Sequence, residues 1–296
     1  MAKHVLVVTG PTASGKSALA LAFAERRGGT VINADAMQTY DAFPILTAQP
    51  TAEERARVSH RLYGVLPLSE ALSAARWRDL AMAAIECAEV PILCGGSGLY
   101  LRVLMQGISA IPAIVSEVRD QANADWEAMG AEAFRTRLAE RDPEIVERLK
   151  PGDRQRHVRA WEVVQSTDRP LSDWQKQEGE PAPYRFKTVL LAPDRAWLRQ
   201  RIETRFDVML EQGVLDEARS VFDRRPDPKW PGLKAHGAPE LFRYFRGEIT
   251  LGEARQIAID HTRQYAKRQM TWFRHQLTPD VVANPATEKF LDKIEV

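Results

Sequence analysis

A phosphate-binding loop near the start of the chain limits the folds open to it. Residues 10–17 fit the pattern G-x-x-x-x-G-K-[ST], between an apolar run at 4–8 and a helical pattern at 17–26. Such a loop turns backbone N–H groups and a helix N-terminus toward an anion; otherwise it is only a tight strand–helix connection. We expect diphosphate contacts from Gly10, Pro11, Thr12, Ala13, Ser14, Gly15, Lys16 and Ser17.

Three side chains near this loop have predicted chemical roles. Lys16 would neutralise terminal phosphate oxygens, and the Ser17 hydroxyl would bind Mg²⁺, the expected cofactor. Asp35 follows the second apolar run, at the sheet edge where open α/β folds bind ligands. It either organises the metal or acts as a base on a bound nucleophile, unless it only caps a turn.

Apolar runs separated by helical patterns predict an α/β fold, a parallel sheet flanked by helices. The predicted strands are 4–8, 30–32, 62–66, 90–94 and 187–192. No strand signal is found between about 115 and 177, which predicts an all-helical insertion. We therefore expect a core of residues 1–112 and 183–296, and a helical insertion domain at 113–182.

The composition excludes several classes of protein. With 44% hydrophobic and 27% charged residues, the chain is not disordered, collagen-like or a coiled coil. Its net charge of +1 argues against a general polyanion binder, but basic residues cluster at 150–159 and 255–274, as solvated helix faces or as a polyanion site. Lacking a membrane-spanning run and an export signal, the chain should be cytoplasmic. Cys87 and Cys94 lack metal or redox spacing and are both expected to be buried.

Five segments in one order resemble the tRNA dimethylallyltransferases of the bacterial type, also called tRNA isopentenyltransferases. They are 10–17, 33–40 (NADAMQTY), 47–50 (TAQP), 95–100 (GGSGLY) and 267–274 (KRQMTWFR). The phosphate loop occurs in many families, but its combination with the Asp35 segment and the C-terminal stretch is far more specific. The resemblance covers nearly the whole chain and implies a P-loop NTPase-like core with a helical insertion.

The resemblance implies transfer of a dimethylallyl group from dimethylallyl diphosphate to N6 of adenine 37, beside the anticodon of tRNA. Breaking the allylic C–O bond puts negative charge on the leaving diphosphate, which Lys16, Ser17 through Mg²⁺ and the family-matched Arg205 would stabilise. Arg205 is otherwise a surface helix charge. Asp35 matches the base that accepts the amine proton. Ser97, at a position that is usually Thr, would bond the donor or the nucleotide, or else cap the next helix.

The expected partners are the anticodon stem-loop of tRNA and dimethylallyl diphosphate; no membrane contact is expected, and the protein should be a monomer. Because the acceptor base must leave its stack, other contacts must hold the distorted loop. The resemblance assigns tRNA contacts to Asp35, Ala36, Met37, Gln38, Ser97, Arg119, Gln155, Arg156, His157, Val158, Arg159, Lys234, His236 and Gly237. Trp272 and Phe273 are candidates for base stacking, although aromatic residues at helical spacing are more often core.

Two other functions stay open at this point. A small-molecule or nucleoside kinase would explain the phosphate loop and Asp35, but not the basic stretch at 263–274. A tRNA-binding module with a structural phosphate loop would explain the basic clusters without catalysis. The chain also departs from the family, since Ala36 replaces a common Ser and Gln49 a common Lys, which bears on the details of tRNA contact.

Overall fold

The computed structural model describes residues 2–177 and 179–286. Its centre is a parallel sheet of six strands in the order β3-β2-β4-β1-β5-β6. The strands are β1 (His4–Thr9), β2 (Thr30–Asn33), β3 (Ser59–Arg61), β4 (Pro91–Gly95), β5 (Arg185–Leu191) and β6 (Val281–Ala283). In a parallel sheet the carboxyl ends of the strands share one edge, so the residues that follow β1, β2, β4 and β5 meet there.

The phosphate-loop strand β1 lies in the middle of the sheet and is buried on both faces. It pairs with β4 on one side, Leu6 opposite Ile92, and with β5 on the other, Leu6 opposite Lys187. Leu6 and Val8 pack with residues of the first helix, whereas Val5 and Val7 pack on the opposite face with residues such as Trp77. A strand buried on both faces reads as a continuous apolar run, which is why 4–8 was recognisable.

Helices cover the sheet and extend the core unit. They are α1 (Lys16–Arg27), α2 (Ala52–Arg57), α3 (Ala74–Glu86), α4 (Gly98–Met105), α9 (Arg195–Glu211), α10 (Val214–Phe222), α11 (Ala238–Phe245) and α12 (Leu251–Gln276). Short 3₁₀ turns occupy Met37–Thr39 and Pro231–Lys234. Thr250 begins α12 with a capping box in which Glu253 bonds back to it, a local signal for a helix start. None of the described helices is long and apolar enough to cross a membrane.

Residues Gln106–Pro181 form a second compact unit, built among its described residues from helices alone. They are α5 (Ser116–Ala139), α6 (Pro143–Arg148), α7 (Arg154–Thr167) and α8 (Leu171–Gln175). Its core contains Trp126, Phe134 and Trp161, with Phe134 edge-on to both tryptophans. Gly130, at φ 75°, interrupts the helical geometry of α5. The α/β class with an all-helical insertion is therefore confirmed.

The structure corrects three expectations. Residues 62–66 are not a strand; the strand is the short segment Ser59–Arg61, and of the predicted run only Leu66 makes a bridge, to Tyr40. The strand β6 was not predicted, because three residues near a helix end give too short a pattern. Cys94 is buried as expected, but Cys87 is exposed at the end of α3.

Candidate active site

The turn between β1 and α1 forms a tight loop whose geometry requires glycine. A Cβ on Gly10 would lie 2.7 Å from the carbonyl oxygen of Leu191 on β5. Gly15 has φ 87° and is the N-cap of α1. No described side chain caps this helix, so its first N–H groups and the positive end of its dipole remain for an anion. The predicted phosphate cradle therefore has the geometry that anion binding needs.

Two polar side chains of the loop are buried without a satisfying partner. The Ser14 hydroxyl is inaccessible and has no hydrogen bond among the described residues. Lys16 is 8% exposed, and its Nζ makes one long contact, 3.4 Å, with the carbonyl of Pro11. Burial lowers the pKa of Lys16, while the charge of Asp35 acts in the opposite direction. Buried polar groups are normally paired, so both side chains point to an anionic ligand as the missing partner.

Asp35 is held at the end of β2 by a bracket of hydrogen bonds. The Asn33 side chain accepts from the Asp35 N–H at 2.8 Å and donates to the Asp35 carbonyl at 2.9 Å. Asp35 Oδ1 accepts from the Met37 N–H at 3.0 Å. The second carboxylate oxygen makes no hydrogen bond with the described residues. The carboxylate is thus fixed in direction but keeps one oxygen that can accept a proton.

Arg205 lies on the middle of α9, partly buried and facing the same space. Burial lowers its pKa to about 10 against the opposing effect of Asp35, so it stays cationic at neutral pH. No described carboxylate forms an ion pair with it. The Arg205 guanidinium therefore keeps its donors for a ligand, in the role that the resemblance implies.

The phosphate loop, Asp35 and Arg205 share one cleft of about 590 Å³. Its polar lining includes Thr12, Gly15, Lys16, Ser17, Asp35, Gln38, Arg201 and Arg205. A smaller cavity of about 60 Å³ is lined by Asp35, Arg205, His236 and Tyr265, and also by the apolar side chains of Leu46, Ile202, Phe206 and Met209. This arrangement suits a reaction in which a diphosphate leaves a small apolar group. The cationic loop would bind the diphosphate, Asp35 would orient a nucleophile, and the apolar side chains would surround the apolar group.

Some of the other predicted residues of the core unit line the small cavity, and others hold the surrounding backbone in place. Met37 and His236 line the small cavity, and Ala36 is tied by its N–H to the Ser97 hydroxyl at 2.9 Å. Gln38 is 9% exposed, with its Nε2 donating to the carbonyls of Thr47 and Ala48. Lys234 is exposed, whereas Gly237 is buried at φ 103°, where a Cβ would lie 2.7 Å from a Leu46 methyl.

In the helical unit, the predicted tRNA residues of α7 face in two directions. Gln155 and Arg156 are exposed, whereas His157 and Val158 are buried in the core of this unit. His157 Nδ1 contacts the Asp153 carbonyl at 2.8 Å, and its buried Nε2 has no hydrogen bond among the described residues. Arg119 and Arg159 approach the buried Glu162, at 4.0 and 3.1 Å. Arg119, Gln155, Arg156 and Arg159 therefore form the accessible part of this candidate surface.

Two residues of α12 in this region were missed by the sequence reasoning. Gln269 bonds the phosphate loop and the turn before α4, and Tyr265 lines the small cavity together with Asp35 and Arg205. Gln269 lies within the stretch 267–274 that carried the resemblance, but nothing in its type showed its role. Phe273 is core, 1% exposed, whereas Trp272 is partly exposed and packs on Gly98.

The described residues contain no group of three or more His, Cys, Asp or Glu side chains able to hold a metal ion. Ser17 is exposed and lines the cleft with Asp35. Mg²⁺ is commonly held by one or two protein groups, substrate phosphates and water. Ser17 and Asp35 therefore fit a magnesium ion whose other ligands are diphosphate oxygens and water. They are too few to bind the ion without a diphosphate.

Comparison with known proteins places the chain in a family. A family model described as IPP transferase matches residues 38–276. The tRNA dimethylallyltransferase of Nitrobacter hamburgensis is 51% identical over 282 residues, covering 93% of this chain and 89% of that protein. That of Rhodospirillum centenum is 50% identical, covering 93% and 90%.

Comparison with solved structures points to the same family. The tRNA delta(2)-isopentenylpyrophosphate transferase of Staphylococcus epidermidis superposes with a TM-score of 0.70 at 29% identity, covering 98% of this chain and 97% of that one. A eukaryotic dimethylallyltransferase acting on tRNA superposes with a TM-score of 0.84 at 25% identity, covering 98% and 76%. The likeness thus extends over nearly all of the chain.

Proposed function

This chain belongs to the IPP transferase family and transfers a dimethylallyl group to tRNA, and we propose that it takes this group from dimethylallyl diphosphate and attaches it to N6 of adenine 37. The observation that carries the proposal is the shared cleft, in which an anion cradle and one orienting carboxylate converge with two cations, Lys16 and Arg205, that have no ion-pair partner among the described residues. We further propose that the protein is a monomer and acts in the cytoplasm, where its tRNA substrate is found.

The phosphate loop would bind the diphosphate of the donor. The N–H groups at the start of α1 and the Ser14 hydroxyl would donate to its oxygens, and Lys16 would supply a compensating charge. Ser17 would hold Mg²⁺, which supplies Lewis-acid stabilisation of the diphosphate when bound. Because Lys16 and Arg205 are already desolvated, their attraction for the charge that grows on the leaving group is strong.

Asp35 would orient the adenine amine and take its proton. The N6 nitrogen forms a bond to C1 of the dimethylallyl group while the allylic C–O bond breaks, and the electron pair of that bond leaves with the diphosphate. The proton on N6 passes to the carboxylate oxygen of Asp35 that has no hydrogen-bond partner among the described residues. The apolar side chains around the small cavity would exclude water from the reacting carbon.

A nucleoside analysis tests this proposal. Unmodified tRNA is incubated with the protein, magnesium and dimethylallyl diphosphate, then digested, and its nucleosides are weighed by mass spectrometry. The expected product is adenosine heavier by one dimethylallyl group, located at position 37 by sequencing the modified fragment. A parallel reaction with labelled ATP tests the kinase alternative, and phosphoryl transfer without prenyl transfer would overturn the proposal.

A further inference from the structure

The side chain of Gln269 joins α12 to two separate loops of the active-site edge. It is 5% exposed. Its Oε1 accepts from the backbone N–H of Thr12 in the phosphate loop at 2.9 Å. Its Nε2 donates to the carbonyl of Gly96 at 2.9 Å. Both ends of the amide are therefore used, and neither bond is within one element.

These two loops lead directly to the groups that the reaction uses. Thr12 belongs to the phosphate loop, four residues before Lys16. Gly96 precedes Ser97, whose N–H donates to the Ala34 carbonyl at 3.1 Å and whose hydroxyl accepts from the Ala36 N–H. A continuous path of hydrogen bonds thus runs from the phosphate loop through Gln269 and the Gly96–Ser97 turn to both sides of Asp35.

The packing around this path leaves little freedom. A Cβ on Gly96 would lie 2.3 Å from Nε2 of Gln269, and one on Gly98 would lie 2.3 Å from the Trp272 ring. Gln269 and Trp272 are three residues apart and so lie on the same face of α12. The absence of side chains at Gly96, in the turn before α4, and at Gly98, the first residue of α4, therefore lets α12 approach closely. A small shift of either loop would break one of the two hydrogen bonds of the Gln269 amide.

We propose that Gln269 is a positioning residue that fixes the distance between the diphosphate-binding loop and Asp35. This inference rests on the proposed function, because the distance matters only if a leaving diphosphate and a nucleophile held by Asp35 must meet. A misplacement of about 1 Å between reacting groups lowers a rate by about a hundredfold. Gln269 lines neither the cleft nor the small cavity, so it acts through the two loops.

Two substitutions separate positioning from simple stability. Gln269→Met keeps the length of the side chain and removes both hydrogen bonds. Gln269→Glu introduces a carboxyl that, when protonated, can still accept from Thr12 and donate to Gly96, but when ionised it cannot donate and repels the Gly96 carbonyl. Gln264→Glu, the same change at an exposed position of α12, is the matched control.

The measurements are kcat, the KM for donor and for tRNA, the affinity for pyrophosphate by calorimetry, and the unfolding temperature, all kinetics being run well below unfolding. For Gln269→Met we expect kcat to fall about 10–100-fold, pyrophosphate affinity to fall severalfold, and the KM for tRNA to stay nearly unchanged. For Gln269→Glu we expect the ratio of its kcat to that of the wild type to rise as the pH falls, while the ratio for Gln264→Glu stays flat.

An unchanged kcat and pyrophosphate affinity in Gln269→Met would overturn the inference, as would a pH-independent ratio for Gln269→Glu. A loss confined to the unfolding temperature would assign Gln269 to stability alone and also overturn it. Pyrophosphate binding requires no prenyl transfer, so this arm remains decisive if the wild type forms no prenylated tRNA, which is the separate failure of the proposed function.

Discussion

The hydroxyl of Ser97 accepts a hydrogen bond of 2.9 Å from the backbone N–H of Ala36, the residue that follows Asp35. The N–H groups of Tyr100 and Leu101 bond the Ser97 carbonyl instead of this hydroxyl, so the side chain does not cap α4. Ser97 therefore holds the backbone next to Asp35 in place. We expect Ser97 to affect the reaction through the position of the Asp35 carboxylate.

Removing the Ser97 hydroxyl should slow catalysis. Ser97→Ala leaves the partly buried Ala36 N–H without its acceptor and loosens the Asp35 segment, so we expect kcat to fall about tenfold. Ser97→Thr keeps the acceptor oxygen and should retain most of the activity. Steady-state kinetics with saturating tRNA and donor measures both, and equal rates in Ser97→Ala and the wild type would contradict this role.

Replacing the Asp35 carboxylate should remove the proton acceptor. Asp35→Asn preserves the size of the side chain and its bond from Met37 N–H, so we expect kcat to fall by roughly 10² to 10⁴ with little change in tRNA affinity. Asp41→Asn, an exposed change six residues later, is the control and should be neutral. Single-turnover rates and a binding titration separate the two effects. An unaltered rate would refute the role of Asp35 as base.

The shape of the Arg205 side chain should matter as well as its charge. Arg205→Gln removes a desolvated cation beside the leaving group, and we expect kcat to fall by about 10²-fold or more. Arg205→Lys keeps the charge but loses the planar fork of donors, so an intermediate rate is expected. Should Arg205→Gln react at the wild-type rate, the guanidinium takes no part in stabilising the diphosphate.

The buried charge of Lys16 should lower the free energy of unfolding when no ligand is bound. Burial lowers its pKa, so folding is penalised while the amine is charged in both states; the penalty is complete below the folded pKa and disappears as the pH rises to the ordinary value of 10.5. We expect Lys16→Met to be more stable than the wild type near pH 7, with a higher Tm, and to lose this advantage as the pH rises toward 10.5.

The same variant provides a ligand test. Pyrophosphate at about 100 times its Kd should stabilise the wild type by about 2.7 kcal/mol and leave Lys16→Met nearly unaffected. Thermal unfolding with and without pyrophosphate measures both. A wild-type Tm that does not respond to pyrophosphate would argue against an anion cradle.

The exposed arginine of α7 should contribute to the salt dependence of tRNA binding. The Arg156 side chain is 73% exposed and its pairing with Asp153, at 3.3 Å, is a weak surface contact. If Arg156 contacts a phosphate, Arg156→Ala should lower the slope of log Kd against log salt by about 0.7–0.9. Lys176→Ala removes an exposed cation of the same unit and is the control, because the resemblance assigns no tRNA contact to Lys176. An identical slope in Arg156→Ala and the wild type removes Arg156 from the tRNA footprint.

The parts of the fold that follow local rules could be predicted from the sequence. The buried strands β1, β2, β4 and β5 gave continuous apolar runs, and the glycine-rich loop after β1 carries its geometry in its residue types. The edge strands β3 and β6 have only three residues each, and β3, with sequence SHR, owes its conformation to pairing with β2. Short edge strands like these depend on tertiary contacts that no local pattern reports.

Site residues show the same division. Lys16, Ser17 and Asp35 follow strands that end at one sheet edge, so their meeting could be inferred. The roles of Gln269 and Tyr265 could not, because an amide or a phenol on a helix has no characteristic spacing until its partners are known. Likewise, burial of His157 and Val158 depends on which side of α7 faces Trp126, which the basic cluster alone does not indicate.

The hydrogen bond from Thr12 to Gln269 spans 257 positions of the chain. During synthesis the ribosome releases the phosphate loop long before it releases α12. A nascent chain therefore contains the phosphate loop early but lacks the Gln269 side chain that bonds it. A protein fragment that ends before α12 lacks this hydrogen bond as well. Prenyl transfer should therefore require that α12 has been synthesised, and fragments that end before this helix should lack prenyl-transfer activity.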